Sequence, residues 1–288
     1  MDTASDKALQ RFAELMIEKI KQVEDNWQKP WFGIKGGGLP QNIEGRTYNG
    51  VNSFMLFLLS EKEQYSLPVY MTFMQAKDSG LNILKGEKSF PVIYWNFSVR
   101  DKNGKKIPFD VYKNLDKNEQ QEYKVTPFLK TYNVFNVQQT NLQETKPEKW
   151  EALKEQFKIP AIKDEQGMLT VPLIDAMVRE QQWICPIYSK EGNSAYHASG
   201  EENHIVVPLK GQFKDGENFY STLLHEMAHS TGEPEHLNRE KGVIFGDKQY
   251  AKEELVAELT SATVGQSLGI STHIREENAM YLKNWLGA

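Results

Sequence analysis

Cysteine is almost missing: the 288-residue chain contains one, Cys185. A lone thiol excludes an internal disulfide framework and a metal centre built from several thiolates, and it fits a reducing compartment. Long apolar runs are missing as well. No stretch approaches the roughly 20 residues that crossing a bilayer requires. The opening Met1-Asp2-Thr3-Ala4-Ser5-Asp6 is polar and acidic, unlike a secretory signal. The expectation is a cytoplasmic protein with no membrane partner. Internal repeats and low-complexity tracts are also absent. Hydrophobic residues make up 39% and charged residues 25%, a globular balance, and the length suits two ordinary domains.

Charge of one sign does not dominate, but it is uneven. Residues 1–144 carry 19 Lys+Arg against 17 Asp+Glu, whereas the remainder carries 15 against 22. The mildly basic front half also holds 20 of the 32 aromatics. Cations interleaved with rings suit single-stranded nucleic acid, where bases stack and phosphates pair with cations; a core built of those rings is the plainer alternative.

Histidine is scarce, with 6 in the chain, and two of these stand four residues apart in Leu224-His225-Glu226-Met227-Ala228-His229. On a helix both imidazoles project from one face. Neutral imidazoles so placed can hold a divalent metal, with the Glu226 carboxylate beside the solvent position to take a proton. This is the H-E-x-x-H pattern of zinc hydrolases. Tyr220, Leu223, Leu224, Met227 and Ala228 recur at helical spacing, and Gly232 and Pro234 end the helix. An apolar helix needs partners for two histidines and a glutamate.

A zinc site needs a third protein ligand. Immediately downstream, position 235 is a glutamate and His236 falls one residue late for the metzincin register. A later segment, Tyr250 to Leu259, offers Glu254 and Glu258 on one helical face. Glu254 is favoured as ligand and Glu258 as the carboxylate behind a bound histidine. Glu253 is the rival ligand within that helix, and an ordinary solvated acidic helix is the bland alternative.

Along the chain, Leu9, Phe12, Ala13, Met16, Ile17, Ile20 and Val23 predict an amphipathic helix ending near Trp27. Trp27 to Pro40 is glycine-rich and reads as a loop. A buried helix is expected up to Leu59, a short helix over Thr72 to Asp78, and strands over Phe90–Trp95 and Lys130–Val137. Asp101 to Lys124 reads as an exposed excursion. Asn and Gln at the end of the second strand, with Gln138 and Gln139 at its exit, could read base edges or a sugar, but satisfied loop caps are the plainer reading. Further expectations are a helix over Val171–Trp183, strands at Ile184–Tyr188 and His204–Leu209, and a final helix over Ile274–Trp285. The strand preceding the motif helix is expected to offer an edge to an extended peptide; Tyr196 nearby could donate to an oxyanion, with an ordinary buried tyrosine as the plainer reading. His197 and His204 read as surface or turn histidines.

Several of these stretches together resemble one family. The front half carries Trp27…Pro30-Trp31, Tyr48-x-Gly50-x-Asn52, Thr72-Phe73-x-Gln75-Ala76, Lys85-Gly86-Glu87-Lys88 and Val134-Phe135-Asn136-x-Gln138. The back half carries Ala195-Tyr196, Ile205-Val206-Val207-Pro208, Tyr220 through Gly232, Leu237-Asn238-Arg239 and Glu253 through Glu258. In this order they resemble ArdC-type antirestriction proteins over nearly the whole chain. Ser230, Asn203 and His236 depart from the family's usual residues at the rim of the pocket rather than at the metal-binding positions.

The resemblance implies an α+β fold in two domains: a mixed α/β module that binds single-stranded DNA over 1–144, a linker over 145–170, and a zincin-like metallopeptidase domain over 171–288. It implies carriage on a mobile genetic element and protection of incoming DNA from restriction, and it is similar to metalloproteases that cut DNA-associated proteins. The expected cofactor is Zn²⁺ on His225, His229 and Glu254, backed by Glu258, with Glu226 and Tyr196 as catalytic groups. Trp31, Arg46, Tyr48, Asn52, Lys85, Lys88, Trp95, Asn136 and Gln138 are the candidate DNA contacts. The competing expectation is a non-catalytic DNA-binding protein that protects by occupancy, with zinc bracing the fold.

Overall fold

The first helix, α1 (Ala4–Asp25), spreads its apolar residues over an arc too wide for the pattern to select one stripe. Ala8, Phe12, Leu15 and Ile20 are buried, whereas Leu9 and Ile17, both expected in the core, are 44% and 41% exposed. Phe12 and Ile20 lie on the expected stripe, while Ala8 and Leu15 take the burial expected of Leu9 and Ile17. Lys19 joins the buried face by its aliphatic stem, with its ammonium 3.8 Å from Glu61. The computed structural model describes residues 3–25, 37–240 and 248–270. Trp31, most of the glycine-rich loop and the helix expected over Ile274–Trp285 lie outside the described residues.

After β1 (Gln41–Asn42), Gly50 takes a φ of 56°, a left-handed turn that a side chain would strain, and α2 (Val51–Glu63) begins. Its run Met55-Leu56-Phe57-Leu58-Leu59 is buried all round, as a central helix must be. β2 (Val69–Thr72) leads into α3 (Phe73–Asp78), whose start is fixed by Thr72 and Gln75 in a reciprocal capping box.

β3 (Phe90–Asp101) pairs antiparallel with β5 (Tyr123–Asn136) along its whole length, from Phe90 opposite Val134 to Asp101 opposite Tyr123. Both strands outrun the apolar segments expected from the sequence. Their outer halves are only partly buried apart from Val99, and backbone pairing along the full length carries them outward. The excursion between them holds β4 (Lys106–Ile107), α4 (Phe109–Lys113) and α5 (Lys117–Gln120). Phe97 stacks on Phe109 at 4.4 Å, which ties that excursion to the hairpin. The front sheet has strand order β1-β2-β5-β3-β4.

α6 (Leu142–Thr145) and α7 (Pro147–Gln156) follow. Leu142, Leu153 and Phe157 are buried against Leu67, Val69, Met71 and Val137, so the stretch expected to begin a linker contributes to the front core. Beyond it, α8 (Pro172–Arg179) precedes β6 (Ile187–Lys190), β7 (Tyr196–Ala198) and β8 (His204–Pro208). β8 is the middle strand, parallel to β6 and antiparallel to β7. The edge expected on β8 is thus filled on both sides, and β6 and β7 are the outer strands.

α9 (Gly216–Ser230) packs on this sheet through Phe219, Tyr220, Leu223, Leu224 and Met227. Tyr220 is fully buried, and its hydroxyl donates to Asp175 at 2.7 Å and accepts from the Val171 N–H at 2.9 Å. α10 (Lys248–Leu268) lies between the two halves. It packs along α9, with Ser261 donating to the Ser221 carbonyl at 3.0 Å, while its Leu255, Leu259 and Ala262 join the core formed by α1, α2 and the front sheet. Each half combines helices with one mixed sheet, in keeping with the α+β class read from the sequence.

Candidate metal centre

α9 starts where Asp215 accepts from the Asn218 N–H at 2.8 Å, and its register carries His225 and His229 onto one face, towards α10. The two Nε2 atoms stand 3.0 Å apart. The Glu254 carboxylate from α10 faces both, with Oε2 3.4 Å from His225 Nε2 and Oε1 3.4 Å from His229 Nε2. Ligands at 2.0–2.1 Å on a tetrahedral ion lie about 3.3 Å from one another. The two imidazole nitrogens, and the carboxylate that faces each of them through a different oxygen, therefore lie at about the separations of ligands around one such ion. Two imidazole nitrogens and one carboxylate also form a usual donor set for a catalytic divalent ion, so the residues fit the expected metal. Among the described residues this is the one cluster with three such donors.

Each imidazole is backed at its other nitrogen. His225 Nδ1 faces Glu258 Oε1 at 3.5 Å, and His229 Nδ1 faces Glu253 Oε1 at 3.3 Å. Both rings present Nε2 to Glu254 and Nδ1 towards a carboxylate; His229 Nδ1 hydrogen-bonds Glu253, the arrangement that fixes ring orientation and tautomer at metal centres, while His225 Nδ1 stands near Glu258 without a hydrogen bond. The sequence pointed to Glu258 in that role. It gave no sign that Glu253 would support the second imidazole, because neighbouring helix positions differ by about 100° and the partner comes from elsewhere. That partner is Arg239, which donates through Nε and Nη2 to the two oxygens of Glu253 at 2.9 and 2.8 Å. Arg239 also donates to the Ala228 carbonyl at 2.8 Å, satisfying an acceptor at the end of α9.

The electrostatics follow from this packing. Burial alone would raise the Glu254 carboxyl, but hydrogen bonds from both imidazoles outweigh it and hold the group far below the ordinary carboxylate range. Glu253 is likewise opposed by burial and brought down to about 2 by Arg239 and His229. Burial disfavours charge on His229, yet Glu253 and Glu254 overcome it and lift the imidazole to about 9 in the metal-free protein. Glu226 is 3% exposed on the same helix, and its charge also favours the cationic form of His229.

Tyr196 lies on β7, 42% exposed, with its ring edge-on to His204 at 6.1 Å. His197, expected at the surface, has a buried side chain whose Nε2 contacts Asn203 Oδ1 at 2.8 Å and faces the buried Glu233 at 3.7 Å. The contact joins β7 to the turn after α9.

In the front half, the candidate DNA contacts separate into two groups. Asn52 is buried and pairs with both backbone groups of Ile93, Nδ2 to the carbonyl at 2.6 Å and Oδ1 from the N–H at 2.9 Å. Asn136 is fully buried, caps the turn after β5 and donates to the Leu67 carbonyl at 2.8 Å. Gln138 accepts from the N–H groups of Ser66 and Leu67. All three spend their amides inside the fold. Arg46, Lys85, Lys88 and Trp95 are exposed, Trp95 by 66%. Arg46 and the buried Tyr48 line a groove of about 500 Å³ together with Tyr94 and Tyr132. The Arg46 guanidinium lies 5.9 Å from the Tyr94 ring centre.

The halves match two known domain families. Residues 6–135 match the N-terminal domain of anti-restriction factor ArdC, and residues 174–288 match a zincin-like metallopeptidase domain. Taken together, the two matches make the chain similar to ArdC-type antirestriction proteins. Crystal structures of the antirestriction protein ArdC from plasmid R388 share the arrangement. The metal-free form has a TM-score of 0.66 at 26% identity and the Mn(II)-bound form 0.64 at 25%, each match covering 96% of this chain and 87% of the other. Two DNA primase TraC proteins of Escherichia coli are each 32% identical over 97% and 96% of this chain, which spans 24% and 18% of their lengths. Protein y4eC of Sinorhizobium fredii (strain NBRC 101917 / NGR234) is 25% identical over 97% of this chain and 83% of its own. No described helix is long and apolar enough to cross a membrane.

Proposed function

We propose that this chain is a cytoplasmic antirestriction protein of a mobile element that binds single-stranded DNA through residues 1–144. Residues 171–288 act as a zinc-dependent peptidase on DNA-associated proteins, with 145–170 as the connection. The observation that carries the peptidase half is the convergence of His225 Nε2 and His229 Nε2, 3.0 Å apart, on the Glu254 carboxylate, whose Oε2 and Oε1 stand 3.4 Å from the first and the second respectively. Those residues hold the ion, and Glu258 and Glu253 orient the imidazoles. When bound, zinc supplies Lewis acidity, acidifying an attacking water and polarising the scissile carbonyl. Glu226 takes the water's proton on its carboxylate and delivers it to the leaving amine. Outer strand β7 aligns an extended peptide by main-chain hydrogen bonds, and Tyr196 on that strand donates to the developing oxyanion. Mn(II) in the R388 relative is compatible with the same donors. DNA held by the front half raises the local concentration of DNA-bound substrates.

A second reading has its own support. α10 contributes Glu254 and Glu258 to the centre and Ala262 to the front core, so an ion clamping α9 to α10 would brace both halves. The protein would then protect DNA by occupancy. Comparing wild type with Glu226→Gln on a DNA–protein crosslink and in a restriction-protection assay separates the two. The peptidase reading expects the variant to keep zinc and DNA but lose cleavage and protection. Unaltered protection favours occupancy, and unaltered cleavage defeats the assignment of Glu226.

A further inference from the structure

The groove on the front sheet contains a carboxylate fixed more firmly than an exposed loop requires. Gln75 Nε2 donates to Glu44 Oε1 at 3.2 Å, and Asn42 Nδ2 donates to Glu44 Oε2 at 3.4 Å. Asn42 is itself fixed, since its Oδ1 accepts from the N–H groups of Glu44 at 3.1 Å and Arg46 at 2.8 Å. Gln75 is fixed too, because its Oε1 accepts from the Thr72 N–H at 2.9 Å. The same groove is lined by Arg46, Tyr94 and Tyr132, the two rings meeting edge to face at 5.6 Å. Tyr48, which also lines the groove, hydrogen-bonds Tyr94.

A carboxylate accepts and never donates, and it has about four acceptor sites on its two oxygens. Asn42 and Gln75 use one on each oxygen, which leaves one on each for a ligand. The matching ligand must set two N–H donors side by side. Thymine's pairing edge offers one N–H between two carbonyls, and adenine and cytosine each offer one amino group beside a ring acceptor that repels a carboxylate. Guanine alone presents a ring N–H next to an amino group. A groove of about 500 Å³ has the size of one nucleotide, and an unstacked base in a single strand exposes this edge. Resting on the reading that the front half binds single-stranded DNA, we propose that this groove is a guanine-selective base pocket. Glu44 accepts from guanine N1–H and N2–H, a tyrosine ring carries the base, and Arg46 pairs with the adjoining phosphate.

The test is fluorescence anisotropy of the full chain with thymine strands of about 12 nucleotides carrying one central guanine, hypoxanthine, adenine or cytosine. The guanine strand is expected to bind about tenfold more tightly than the all-thymine strand, the scale of one bidentate base contact. Hypoxanthine, which lacks only the amino group, is expected to lose most of that gain. Glu44→Gln is expected to abolish the preference while leaving all-thymine binding within about twofold. Equal binding of all strands by wild type, or a guanine preference that survives Glu44→Gln, overturns the pocket but leaves single-strand binding standing. Failure to bind any strand removes both.

Discussion

Arg239 grips Glu253 with two parallel hydrogen bonds, Nε to Oε2 at 2.9 Å and Nη2 to Oε1 at 2.8 Å, and the gripped carboxylate faces His229 Nδ1 at 3.3 Å. Arg239, in the segment after α9, thereby reaches the candidate metal centre through Glu253. Removing such a support lets the ring reorient and weakens its donor nitrogen. Arg239→Ala and Glu253→Gln are expected to lower zinc affinity by about 10- to 100-fold, measured by competition with a chelator. Affinity equal to wild type in both variants would show that His229 needs no such support.

Much of this centre could be read locally. H-E-x-x-H fixes two imidazoles and a carboxylate because helix geometry alone brings positions four apart together. Glu254 and Glu258 followed from the same rule on α10. Arg239 did not, since nothing nearby in sequence shows that it returns to the end of α9. The amides of Asn52, Asn136 and Gln138 have a similar ambiguity. A polar side chain at a strand exit looks the same whether it reads a base or closes a backbone, and only the fold reveals the Ile93, Leu67 and Ser66 partners. The outer parts of β3 and β5 were hidden for another reason: Phe97, Val99 and Val125 alternate there, but over too few residues to mark a strand beside Pro127 and the lysine-rich excursion.

This distinction gives opposite outcomes for two front-half substitutions. Asn136→Ala leaves the Leu67 carbonyl without its donor inside the core and should cost about 1–3 kcal/mol, read as a lower denaturant midpoint, with DNA affinity kept by the folded fraction. Trp95→Ala removes a ring that is 66% exposed and should change stability by no more than about 0.5 kcal/mol. If Trp95 stacks on a base, DNA affinity should fall by about 1–3 kcal/mol, read by anisotropy. A large stability loss with unchanged binding in Trp95→Ala would remove it from the DNA surface.

Tyr70 makes the front core sensitive to alkali. Burial pushes its phenol up to about 12, against opposing hydrogen bonds from Ser60 and Asn136, while an unfolded tyrosine titrates near 10. The fold therefore favours the neutral phenol. Its contribution is complete below about pH 10 and is lost as pH rises from there through about 12. Urea midpoints of wild type should fall across that window, and Tyr70→Phe should fall less steeply. Parallel slopes for the two proteins would show that Tyr70 does not titrate with folding.

The most direct measurement is zinc content per chain after loading and dialysis, for wild type, His229→Ala, Glu254→Ala and Glu226→Gln. One ion per chain is expected in wild type and in Glu226→Gln, with loss in His229→Ala and Glu254→Ala. Wild type that takes up no ion, or Glu254→Ala that keeps it as firmly as wild type, would contradict a centre built on His225, His229 and Glu254.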